Sequence, residues 1–153
     1  MTAKKKTNER LGTNKLKAKS SASQRIAGTR TERTVGESEP LITISFKDYD
    51  NSQGQTFEQW QTDGLLAKLM TKLVEICQKN RTTASQEKII DIYGDFPAES
   101  KFRKPKYIET EVKWGTIRNI GGQKARVAGY MIDNVFYVVF LDQEHKFAPS
   151  SKN

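Results

Sequence analysis

The chain has 153 residues, 26 Lys and Arg against 18 Asp and Glu, and a formal net charge of +8. It has one cysteine and one histidine, which excludes an intrachain disulfide and a zinc site built from this chain alone. No apolar run approaches the eighteen or more residues of a membrane span. Lys4-Lys5-Lys6 is followed by no apolar segment, so no secretory signal is expected and a cytoplasmic location is.

The charge is unevenly spread. Residues 1–40 hold 10 Lys and Arg against 4 acids, and residues 41–153 hold 16 against 14. The first segment has no aromatic residue and only scattered aliphatics, too little apolar surface to offset the entropy of ordering. It is expected to be a disordered basic arm, suited to nucleic acid or an acidic partner through counterion release. Residues 41–153 form a single domain in this reading, long enough to bury a core.

Residues 41–46, LITISF, alternate and are β-branched, which predicts the first strand. The loop 48–55 carries Asp50 and Asn51 but lacks the closing glutamate of a calcium loop. Thr56 and Gln59 make a capping box that starts a helix, expected to run to about Asn80 with a break at Asp63-Gly64. Its apolar stripe is Leu66, Leu69, Met70, Leu73, Val74 and Cys77, the last read as a small buried hydrophobe. Lys68, Lys72, Glu75 and Lys79 take the other face. Residues 81–86 read as a polar connection and residues 88–93 as a strand stopped by Gly94 and Pro97.

Residues 96–107 form a loop in which Lys101, Arg103, Lys104 and Lys106 interleave with Phe102 and Tyr107. Cations interleaved with aromatic rings suit phosphate contacts and base stacking, with a charged crossing loop as the plainer alternative.

Residues 112–141 predict a three-stranded antiparallel meander turned at Gly121-Gly122 and Asp133-Asn134. The last strand, VFYVVFL over residues 135–141, is apolar on both faces and so belongs in the middle of a sheet. About the turn at 133–134, Arg126 falls opposite Leu141 or Asp142, within a residue or two of His145. His145 is the one side chain whose ordinary pKa lies near neutrality. The plainer alternative is that Asp142 and Glu144 form exposed ion pairs with Lys124 and Arg126, each worth under about 1 kcal/mol. No Walker loop, dinucleotide-binding glycine pattern or serine-nucleophile elbow is present.

The order strand, helix, then curled meander with a terminal histidine-aromatic segment resembles the RelE/ParE-like toxin superfamily. The detailed likeness is confined to Lys124-Ala-Arg126-Val-Ala-Gly-Tyr130 and to residues 136–147. The basic arm and the long 96–107 loop depart from that compact pattern. The resemblance implies an α+β fold, a curled antiparallel sheet packed by one or two helices. It also implies a metal-independent endoribonuclease, needing no cofactor, that acts on RNA or the ribosome and is neutralised by an antitoxin or other partner protein. In that chemistry a ribose 2′-hydroxyl attacks the adjacent phosphate. His145 would serve as acid or base, with Arg126 and Lys124 as phosphate stabilisers. Tyr130 or Phe147 would stack on a base, Asp142 or Glu144 would orient His145, and Lys113 and Arg118 would extend the phosphate track. The rival expectation is a nucleic-acid-binding or defence-complex accessory module without catalysis; a third is an adaptor whose basic arm binds an acidic protein.

Overall fold

The computed structural model describes residues 38–150; the basic arm, apart from its last three residues, lies outside them. Among the described residues the order is β1 (Thr43–Ser45), α1 (Phe57–Thr62), α2 (Leu66–Ile76), α3 (Arg81–Gln86), β2 (Ile90–Gly94), β3 (Lys113–Ile117), β4 (Arg126–Ile132) and β5 (Val135–Asp142). The class is α+β. The sheet order is β1-β5-β4-β3-β2, with β1 parallel to β5 and the other pairs antiparallel. The sheet is therefore mixed, where pattern alone predicted an antiparallel one.

The meander forms where it was expected, and β5 lies between β1 and β4 in the interior of the sheet. Asp133 takes a φ of 54° at the β4–β5 turn, a left-handed backbone that Asp tolerates. In the pairing of β4 with β5 the register shifts between Ala128 and Gly129, so one residue of β5 has no opposite number. That bulge turns Val139 and Phe140 to one face, while Phe136, Val138 and Leu141 serve the other. Gly129 is required there, because a Cβ would lie 2.0 Å from the Tyr137 carbonyl oxygen.

Each face of the sheet has its own core. On one face Ile117, Val127, Met131, Phe136, Val138 and Leu141 pack against Trp60, Leu69, Leu73 and Ile76 of the helices. On the other, Trp114, Ala128, Tyr130, Val139, Phe140 and Phe147 are closed over by Phe96, Phe102 and Ile108 of the 96–107 loop and the residues beside it. The loop is thus a strap whose apolar side chains point inward.

The capping box is realised: Thr56 Oγ1 accepts from Gln59 N at 3.1 Å and Gln59 Oε1 accepts from Thr56 N at 2.7 Å. The break comes at Gly64, with φ 74°, and it shifts the buried stripe. Ile76 is buried, whereas Met70 and Val74 are 50% and 57% exposed. Cys77 is only half-buried, at the C-cap of α2. Residues 81–86 are a helix rather than an irregular connection, because Asn80 Oδ1 accepts from Thr83 N and starts the turn. No described helix is long and apolar enough to cross a membrane.

Candidate phosphate site at Arg126 and His145

Arg126 stands opposite Asp142 in the β4–β5 register: the distance from the turn alone gives Leu141, and the bulge moves the pairing one residue on. The β3–β4 register ends at Ile117 opposite Val127, so Arg118 comes beside Arg126 one step on. Two residues along the strands, Asp91, Thr116, Ala128 and Phe140 form the next row across β2 to β5. Cross-strand partners share a face. Arg118, Arg126, Asp142, Asp91 and Thr116 therefore make a polar terrace where the aromatic core ends.

The chain after β5 turns back over this terrace. Asp142 is buried, and its two carboxylate oxygens accept from Lys146 N and Phe147 N, both at 2.8 Å. Gln143 N donates to Gln55 Oε1 at 2.6 Å, and Lys101 N donates to Lys146 O at 3.0 Å. Phe147, wholly buried among Phe96, Phe102, Trp114 and Phe140, anchors the far side of the turn. So held, His145 sits half-exposed at the tip with a φ of 61°. A left-handed non-glycine residue costs on the order of 1–3 kcal/mol and persists only where its surroundings fix it. The expectation of exposed ion pairs from Asp142 to Lys124 or Arg126 is corrected here, since the Asp142 carboxylate caps a turn.

The guanidinium of Arg126 makes no hydrogen bond or ion pair among the described residues, although the residue is 8% exposed. Among them, the one fully buried side-chain nitrogen or oxygen with no partner is Trp114 Nε1. Burial pulls the Arg126 pKa down, and nearby Arg118 adds to that; Tyr93, Asp142 and Asp91 oppose it. The group stays charged, as arginine does in proteins. Burial also lowers the His145 pKa, reinforced by Arg126, while Asp142 works against it. That direction favours the neutral imidazole, the form able to accept a proton. Burial raises the Asp142 pKa, against the pull of the two amide donors, His145 and Arg126. Arg118, Arg126, Asp142 and His145 thus share one electrostatic neighbourhood.

Other expected site residues are placed differently. Lys113 opens β3, paired with Met131, about 16 Å from Arg118 at the usual strand rise. Lys124 is exposed just before β4. Tyr130 is 4% exposed and its hydroxyl donates to Asp48 Oδ2, so neither it nor Phe147 offers a free face to a base. Lys104 Nζ donates to Ile108 O at 2.9 Å and holds the strap. The Arg103 backbone is tied to the Gln53 side chain by two hydrogen bonds of 2.8 and 2.9 Å. Lys101, Arg103 and Lys106 are exposed, and Lys101 lines a 490 Å³ cleft with Lys146, Asp142 and Glu144. A larger cleft of 580 Å³, between α2 and the β3–β4 loop, contains none of the expected site residues.

Tyr93 is a neighbour that sequence reasoning missed. It occupies the irregular position of β2, and its hydroxyl is 3.1 Å from Thr116 Oγ1. Its ring stacks on Phe147 at 6.4 Å and is 41% exposed. Only the pairing of β2 with β3 brings it to the terrace, so no local signal marked it. Lys146, next to His145 in the sequence, is exposed and lines the same cleft as Lys101. Among the described residues, no group of three His, Cys, Asp or Glu is placed to hold a metal ion. Comparison with protein-family models, curated proteins and solved structures finds no match.

Proposed function

We propose that the protein is a metal-independent endoribonuclease of the RelE-like kind, with Arg126, Arg118 and His145 forming the reaction centre. One observation carries this reading: Arg126, buried as a residue and with no hydrogen bond or ion pair from its guanidinium among the described residues, lies in the same neighbourhood as the half-exposed His145 imidazole. A partly desolvated cation gains from an anion that pairs with it, and a guanidinium matches a phosphate in geometry and charge.

His145 takes the proton from a ribose 2′-hydroxyl, and the oxygen attacks the adjacent phosphorus. Arg126 and Arg118 hold the phosphate oxygens as negative charge develops in the phosphorane. The bond to the 5′-oxygen breaks, and that oxygen takes a proton from solvent, leaving a cyclic phosphate. Asp142 fixes the turn that presents the imidazole. Tyr93, in place of Tyr130 or Phe147, offers the exposed ring for a neighbouring base, and Lys101 and Lys146 flank the path of the chain. Ribosomal action and neutralisation by a partner protein are part of this proposal, and rest on the resemblance.

The test is cleavage of a labelled RNA with and without ribosomes in the presence of a metal chelator. His145→Asn preserves a residue that tolerates left-handed backbone, so it should fold normally and lose about 10²–10⁴ in rate. Cleavage by that variant at the wild-type rate overturns the assignment. A second reading, RNA binding without cleavage, is favoured by the exposed Lys101, Arg103 and Lys106 on the outside of the strap. It predicts salt-sensitive binding that His145→Asn leaves intact and no cleavage under any condition.

A further inference from the structure

At the end of β4 remote from Arg126, the strap and the residues after β1 enclose a second, independent feature. Lys47, Asp48, Tyr107, Glu109, Tyr130 and Tyr137 line a cavity of about 220 Å³. Tyr130 and Tyr137 are cross-strand partners whose rings stack at 4.6 Å with 12° between planes. Tyr107 is 59% exposed at the mouth, and its hydroxyl donates to the Asp48 backbone oxygen at 3.2 Å. The Tyr130 hydroxyl donates to the Asp48 carboxylate. Tyr107 and Tyr130 are thus both hydrogen-bonded to Asp48, Tyr137 stacks on the Tyr130 ring, and a second acid, Glu109, also lines the cavity.

The chain already supplies a cation to this cavity. Lys47 Nζ lies 5.6 Å from the Tyr137 ring centroid and 3.1 Å from Asp48 Oδ2. A cation over an aromatic face within about 6 Å is attracted by the ring quadrupole, and a carboxylate beside it adds to the attraction. The Lys47 side chain is 65% exposed and, among the described residues, held by that surface pair and that ring, so it can leave at little loss.

We propose that this tyrosine cavity is a binding site for an organic ammonium ion, with Lys47 as the internal occupant that a ligand displaces. The ligand class is a quaternary ammonium or alkylated lysine head, whose diffuse charge and methyl groups suit aromatic walls better than a strongly hydrated ion does. The source is either a free small molecule or a lysine side chain borne on another polypeptide.

The full-length protein, labelled with ¹⁵N, would be titrated with choline chloride and with its neutral isostere 3,3-dimethylbutan-1-ol. Choline should give saturable shifts at the amides of Tyr107, Tyr130, Ile132 and Tyr137, and the alcohol should not. Lys47→Ala should tighten choline binding about two- to fivefold, the equivalent of one exposed cation–ring contact. Tyr107→Ala, at an exposed position that leaves both cores intact, should weaken it by a similar factor or more. A trimethyllysine peptide binding more tightly than choline assigns a chain-borne ligand, and equal binding assigns a small one. The proposal is overturned if choline and the alcohol shift the same amides equally, if neither binds, or if Lys47→Ala weakens binding.

Discussion

Replacing Arg126 with methionine separates what the site does from what the fold needs. The residue is 8% exposed, and its guanidinium forms no hydrogen bond or ion pair among the described residues. Its pKa is pulled down by burial, so the folded state disfavours the charge it carries. Methionine keeps much of the aliphatic stem and removes that desolvation. Asp142 retains its two amide donors at 2.8 Å, so loss of the cation does not strip that carboxylate bare. Exchanging a buried charge for a packed apolar group commonly stabilises by about 1–4 kcal/mol, and partial access to solvent puts this case near 1–2 kcal/mol. For a domain of this size that raises Tm by roughly 4–8 °C. An anion bound by wild type gives the opposite comparison. Phosphate at a hundredfold excess over its Kd adds about 2.7 kcal/mol to a protein that binds it only when folded. Thermal unfolding by circular dichroism, with and without phosphate at constant ionic strength, reads both effects. The Arg126→Met variant should melt higher than wild type without phosphate and gain less from it. A fall in stability beyond about 1 kcal/mol, or an equal phosphate gain in both proteins, refutes the idea of a guanidinium kept for a ligand.

The single histidine permits an unambiguous proton NMR titration. Burial and the Arg126 charge lower its pKa, so the midpoint should fall below 6.5 in wild type and move upward in Arg126→Met. Because the neutral form is the base, cleavage should be lost as pH falls through that midpoint and level off above it. The stability contribution has the same sense: a depressed folded pKa favours the native state above the unfolded value and is lost as pH falls through the folded one. Arg118→Gln should slow cleavage by about 10²-fold or more, whereas Lys113→Gln, at the other end of β3, should leave turnover within about twofold by the usual insensitivity of remote surface sites; equal losses would disperse the site along the strand. Gly129→Ala places a Cβ against the Tyr137 carbonyl at 2.0 Å and should destabilise by about 3 kcal/mol or more in urea unfolding; a wild-type midpoint would mean the bulge yields freely.

The sequence by itself determined whatever depends on neighbours along the chain. Thr56 and Gln59 announce a helix start because their side chains reach each other's amides three residues away. Asp133-Asn134 marks a turn, and counting outward from it brings Arg126 to Leu141 or its neighbour; the bulge opposite Ala128 and Gly129 settles the pairing on Asp142. The composition of residues 135–141 places β5 inside a sheet, since both of its faces are apolar. Only the tertiary structure decided which rings are spent in the core. Tyr130 and Phe147 looked like stacking platforms, but the strap of residues 96–107 closes over them, and nothing local to either ring reveals what lies above it. The same packing draws Tyr93 to the terrace through β2, and Lys47 over Tyr137 through β1. It also turns Asp142 from an exposed partner for lysine into a buried cap for the His145 turn. Burial is a property of contacts distant in sequence, so a residue's chemistry can be read from its type while its availability cannot.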